Sequence, residues 1–162
     1  MKRGDDMAGQ NEAAEGLFHR VVVPTDFSSC AEAAWEMAQR LAAVVGSELV
    51  LTHVLVEAPL FDESPFNAEK TRGVFEASTR WAEEHIEQWA AAAKRKGLKV
   101  RTAMRRGQPH AEVVALAMDE RAALVVLGTH GRGGLDRALL GSVADRVVRL
   151  APCPVLTVRE PS

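Results

Sequence analysis

The sequence predicts an α/β fold: a doubly wound, five-stranded parallel sheet with helices on both faces. Three observations carry that prediction. Short β-branched and aliphatic runs alternate with segments of helical period from Arg20 onward. Those runs are continuously apolar rather than alternating, as in strands buried on both faces. The helical segments lie between consecutive strands and are bounded by capping or breaking residues, as crossover connections of a parallel sheet require.

Each element can be justified in turn. Arg20-Val21-Val22-Val23-Pro24 is a β-branched run stopped by proline. Ser28 and Ser29 follow, and Glu32 stands three residues after Ser29 as in a capping box. Ala33, Ala34, Met37, Leu41 and Val44 then recur at helical spacing until Gly46 stops the run. Glu48 to Val56 is a second strand, and a loop with Pro59, Phe61 and Pro65 leads to a long helix from Asn67 to Lys96. Val74, Phe75, Trp81, Ile86, Trp89 and Ala93 mark its apolar face, with Trp81 and Trp89 expected in the core. Gly97 ends it; Leu98 to Met104 is a third strand. Gly107-Gln108-Pro109 opens a helix with proline in its first turn, buried through Val113, Val114, Leu116, Ala117 and Met118. Ala123 to Gly128 is the most uniformly apolar strand. A glycine-rich loop, a helix from Ser142 to Leu150 and a last strand, Pro154 to Val158, complete the order β-α-β-α-β-α-β-α-β.

Composition agrees with this fold. The 162 residues are 47% hydrophobic and 26% charged, near the averages of ~45–50% and ~25% for globular chains. Residues 1–17 are polar, without a helical stripe, and are expected to form a mobile tail; residues 18–162 form a single domain. Twenty basic and 22 acidic residues leave a net charge of −2, so no overall charge draws the chain to nucleic acid or membrane. Three Trp, five Phe and no Tyr leave little for base stacking. No apolar run approaches the ~20 residues of a bilayer span, and the N-terminus has no signal-peptide core. A cytoplasmic protein is expected. Cys30 and Cys153 fit no metal spacing and read as free thiols.

In an open parallel sheet, ligands bind beyond the carboxyl ends of the strands, where strand order reverses. The candidate segments are Pro24-Thr25-Asp26-Phe27-Ser28 and the stretch from Gly128 to Ser142, which holds five glycines in fifteen residues. Glycines let main-chain N–H groups approach an anion, and a helix N-terminus adds free N–H groups with about half a positive charge. Ser142 with Asp145 also reads as a capping box, which competes for the same N–H groups. A Walker loop fails because Gly134 and Leu135 stand where Lys and Ser or Thr are required, and no lysine follows Lys99. A Gly-x-Gly-x-x-Gly fingerprint fails at Asp136.

What does match is Gly-x2-Gly-x9-Gly-Ser/Thr, at Gly128, Gly131, Gly141 and Ser142. With Val-Pro-Thr-Asp-Phe-Ser after the first strand, Gly-Thr-His-Gly-Arg-Gly-Gly-Leu, Gly-Ser-Val-Ala and the terminal Pro-Cys-Pro-Val-Leu-Thr-Val, the chain resembles the universal stress protein family from about Arg20 to Arg159. The resemblance implies a Rossmann-like, adenine nucleotide alpha hydrolase-like sheet of order 3-2-1-4-5 and the ATP-binding subfamily. It places Pro24, Thr25 and Asp26 beside the adenosine, with Asp26 near base and ribose and available to a Mg ion carried by ATP. The Val54 backbone would meet adenine. Gly128, Thr129, His130, Gly131, Arg132, Gly133 and Gly134 would line ribose and phosphates, and Gly141, Ser142 and Val143 would hold the phosphates. Met104 and Gly107 would close the adenine side. Family members commonly dimerise through the last strand, here Val155 to Val158.

Plainer roles compete with these. Asp26 is also a plausible turn residue, though its place at a strand end favours ribose or a metal. His130 reads equally as an exposed loop imidazole or a phosphate neighbour. His53 and His85 read as packing or surface residues, and His19 and His110 receive no role. Seven basic residues without an acidic one between Lys94 and Arg106 read as a helix end and solvent-facing strand positions rather than a nucleic-acid patch. The loop offers Arg132 and Arg137 but no lysine, which suits nucleotide holding better than fast phosphoryl transfer. The leading expectation is a regulatory, stress-response ATP binder with little or no turnover whose loaded state is read by protein partners. A slow ATPase or nucleotide hydrolase or transferase is the first alternative, and a nucleotide-independent interaction module the second.

Overall fold

A computed structural model describes residues 16, 18–56, 65–130 and 140–160, side chains of 65–71 excepted. The expected tail lies almost wholly outside these residues. The elements are β1 (Arg20–Pro24), α1 (Ser29–Val45), β2 (Glu48–Leu55), α2 (Pro65–Arg95) and β3 (Lys99–Arg106), then α3 (Pro109–Asp119), β4 (Leu124–Gly128), α4 (Ser142–Leu150) and β5 (Val155–Val158). All strand pairs are parallel, in the order β3-β2-β1-β4-β5. The predicted sheet is the observed one.

Strand residues alternate between two cores. Val21, Val23, Leu49, Leu51 and Val126 face α1 and α2; Val22, Val50, Val125 and Leu127 face α3 and α4. The two helix pairs therefore cover opposite faces, and the strand order reverses between β1 and β4. Loops leaving these central strands run to opposite faces and open a crevice between them.

The helix faces needed correction. On α1 the buried residues are Cys30, Ala31, Ala34, Trp35, Ala38, Gln39 and Ala42, whereas Val44 is 84% exposed. Small side chains bring α1 close to the sheet, and Trp35 fills the one wide gap; large aliphatics misled the reading of phase. The cap of α1 is Ser28 rather than Ser29, its Oγ accepting from Ala31 N at 3.3 Å, so Glu32 falls one place outside a capping box. Val74 and Met118 are exposed as well, and Trp81, expected in the core, is 42% exposed. Trp89 does pack against the first core, half-buried. Helix stops were read correctly: Gly46 and Gly97 take left-handed backbone at φ 78° and 84°.

Part of the basic run is held by partners. Arg101 pairs with Glu48 and Glu120, Arg105 with Asp119, and Lys96 Nζ donates to Gln39 Oε1. Both cysteines are free; burial pushes the Cys153 thiol up. Among the described residues, no helix is long and apolar enough to cross a membrane.

Candidate functional site: a crevice at the switch point

Between the carboxyl ends of β1 and β4 lies a crevice of about 520 Å³, inside the ~300–1,000 Å³ typical of small-molecule sites. It gathers two segments distant in sequence. Pro24, Thr25 and Asp26 form one wall; Gly128, Thr129 and His130 with Gly141, Ser142 and Val143 form another. Val54 completes the set from β2. Gly131, Arg132, Gly133 and Gly134, together with Asp136 and Arg137, lie outside the described residues. Met104 and Gly107 are not among the lining residues, whereas Val56, Pro109 and Val113 are. Sequence reasoning missed these, along with Ala31, His53, Leu127 and Ala144. Pro109 and Val113 carried a signal, since the N-terminus of α3 must also open at this edge.

The β1 wall is built by local hydrogen bonds. Thr25 N donates to Thr52 O at 2.8 Å, extending the β1–β2 ladder by one residue. Thr25 Oγ1 then accepts from Phe27 N at 2.9 Å, and Asp26 Oδ1 from Ser28 N at 3.0 Å. These two side-chain turns deliver Ser28 to the cap of α1. They also force Phe27 to φ 61°, a conformation costing a bulky residue on the order of 1–3 kcal/mol. Ring packing offsets that cost: Phe27 lies 4.9 Å from His53 and edge-on to Trp81 and Trp89 at 5.1 and 5.5 Å. Asp26 is thus a turn residue that also lines the crevice.

The opposite wall pivots on Thr129, which is 6% exposed. Its N–H donates to Val158 O at 2.9 Å, and its carbonyl accepts from Gly141 N at 2.8 Å, so the loop between leaves and returns at one residue. Two glycines are required here by packing. A Cβ on Gly128 would sit 2.8 Å from the Cys30 backbone, and one on Gly141 would meet Thr129 O at 3.0 Å. Gly128 therefore admits the first turn of α1 against β4, and it lines the crevice as well. The capping box at Ser142 is also corrected. Gly141 is the N-cap and brings no side chain, Ser142 is the first helical residue, and Asp145 pairs with Arg149 at 3.1 Å. The first N–H groups of α4 consequently have no intrahelical acceptor, and Gly141 gives them no side-chain cap among the described residues.

His130 adds a further unused group. Its Nδ1 lies 3.0 Å from Thr129 Oγ1, while Nε2 is buried without a hydrogen-bond partner among the described residues. The crevice thus joins an apolar slot (Val54, Val56, Pro109, Val113, Leu127) to an uncapped helix N-terminus. Asp26 is the only acidic residue among the described lining residues, and none of these is Lys or Arg. No group of three or more His, Cys, Asp or Glu among the described residues could hold a metal unaided.

The fold and crevice define the class: a doubly wound α/β domain with a ligand-sized site at its topological switch point. Comparison with known proteins makes this specific. The universal stress protein family model matches residues 17–159, and the chain belongs to that family. Universal stress protein MJ0531 of Methanocaldococcus jannaschii is 35% identical over 151 residues, covering 91% of this chain and 85% of that protein. The solved structure of MJ0577 from the same organism matches with a TM-score of 0.78 at 29% identity, covering 90% of this chain and 99% of that one. A universal stress protein crystallised in complex with cAMP matches with a TM-score of 0.62 at 26% identity, covering 89% and 98%.

Proposed function

We propose that the crevice binds ATP together with Mg, and that the protein is a regulatory nucleotide binder with little or no turnover. The observation that carries this is the junction of an apolar slot with the uncapped N-terminus of α4 in one crevice. An adenine ring suits the slot, and phosphates suit bare amides at the positive end of a helix. The relative in complex with cAMP supports an adenine nucleotide in particular.

In this reading Pro24, Thr25 and Asp26 border the adenosine, and the Val54 backbone meets the base. Thr129, His130, Gly131, Arg132, Gly133 and Gly134 line ribose and phosphates beside Gly128. Gly141, Ser142 and Val143 hold the phosphates. Mg would arrive held by phosphate oxygens, with Asp26 as its one carboxylate neighbour among the described lining residues. Phosphoryl transfer needs charge neutralisation and an oriented nucleophile. One carboxylate and no cation among the described lining residues favour holding over turnover. The reading extends to a cytoplasmic protein that works without nucleic acid or membrane. It is a homodimer through β5, an edge strand with Leu156 partly exposed, and its loaded state is read by protein partners.

Calorimetric titration with ATP, ADP and AMP, with and without Mg, tests the proposal. Saturable binding of ATP, with nucleotide released on denaturing the purified protein and no appreciable phosphate release, is the expected result. Absence of binding overturns the reading, and sustained turnover lost in Asp26→Ala replaces it with the enzyme.

A further inference from the structure

One side chain read from the sequence as packing or surface, His53, touches the β1 wall of the crevice. The β1–β2 register ends at Pro24 and Thr52, so the Thr25 carbonyl stands beyond the paired residues, on a residue only 6% exposed. A buried carbonyl needs a donor. The donor is His53, whose Nδ1 lies 2.7 Å from that oxygen. A carbonyl can only accept, so Nδ1 carries a proton and donates it. His53 itself lines the crevice, and its ring packs 4.9 Å from that of Phe27. It thereby clamps the peptide before Asp26 from one side and braces the left-handed Phe27 from the other.

We propose that His53 is a positioning residue for the nucleoside end of the ligand: its Nδ1–H holds the Thr25 carbonyl and so fixes the Thr25–Asp26 wall. This rests on the reading that the crevice takes an adenine nucleotide with its nucleoside against that wall. The phosphate end, at α4, is built by Thr129 and Gly141 without His53. Loss of the clamp should therefore weaken the nucleoside contacts and spare the phosphate contacts. General damage to the fold would weaken both.

Asparagine and glutamine separate the two ring nitrogens. An asparagine amide places an N–H near the position of Nδ1, whereas glutamine places it near Nε2. Wild type, His53→Ala, His53→Asn and His53→Gln are titrated calorimetrically with Mg-ATP and with inorganic tripolyphosphate, and their melting temperatures recorded. His53→Ala and His53→Gln should bind ATP about tenfold more weakly, and His53→Asn should recover to within about threefold of wild type. Tripolyphosphate affinity should be the same in all four. Equal ATP affinity in wild type and His53→Ala, equal rescue by Gln and Asn, or a parallel loss of tripolyphosphate binding overturns the proposal. Wild type that binds no ATP removes the nucleotide reading itself and this proposal with it, an outcome distinct from the other three.

Discussion

At the N-terminal ends of the strands, Arg20 donates to Glu48 and to the Glu120 carbonyl, and Arg101 bridges Glu48 and Glu120 at 2.7 Å to each. Opposite charges there answer one another across β1, β2, β3 and the end of α3. At the C-terminal ends the pattern is inverted. The first amides of α4 have no side-chain cap and His130 Nε2 no partner among the described residues, and Phe27 is held at φ 61°. Both edges are made by the same five strands, so the sheet itself does not account for the difference. One edge is closed by its own side chains and serves stability. The other holds the crevice and the first amides of α4. A left-handed non-glycine residue (Arg121, Phe27) and a buried polar atom without a partner among the described residues (Ser47 Oγ, His130 Nε2) occur at each edge, so the contrast lies in the paired charges of one and the amides of the other.

The largest expected effect comes from breaking the open edge at its foundation. Gly128→Ala places a Cβ 2.8 Å from the Cys30 carbonyl carbon and oxygen, which are backbone and cannot swing aside. Either β4 or the first turn of α1 must move, at a cost of about 1–3 kcal/mol, measurable by denaturant unfolding. Unchanged stability would mean that α1 yields freely and that the close approach has no structural role. Gly141→Val comes next. Its Cβ would press on Thr129 O at 3.0 Å, the acceptor that closes the loop, and would shift the first amides of α4. ATP affinity should fall about tenfold with only a minor loss of stability. Unchanged affinity would dissociate the helix terminus from phosphate binding.

The sheet was legible because burial on both faces leaves its trace in every strand, and the topology follows from alternation. The site was legible in position, since Thr25, Asp26, Gly128, Gly141 and Ser142 do meet in one crevice. What failed was assigning each residue its reason. Gly128, expected to let a ligand approach, also lets a helix approach, because a missing Cβ reads the same whichever neighbour requires it. Ser142 looked like a cap and is one residue too late, because capping boxes are recognised by spacing while helix starts are set by the preceding loop. His53 showed no ligand spacing, and its bond to Thr25 crosses 28 positions of sequence that only the β1–β2 register brings together.

The smallest effect tests whether the closed edge is independent of the open one. Glu48 sits between two guanidiniums; the Arg101 hydrogen bond lowers its carboxyl most, partial burial opposes this, and the Arg20 bond and both charges reinforce the lowering. A carboxyl lowered in the folded state binds fewer protons there than in the unfolded chain, so stability rises with pH across that interval. The contribution is fully present above the ordinary value of 4.5 and fades as pH falls through the lower folded value. Glu48→Gln should therefore cost about 1 kcal/mol at neutral pH and make the acid limb of the stability profile shallower below that value. ATP affinity at neutral pH should stay within about twofold of wild type, since the substitution lies at the far edge of the sheet from the crevice. An unaltered acid limb would deny the network its role, and a large change in affinity would show that the two edges are coupled through the strands that join them.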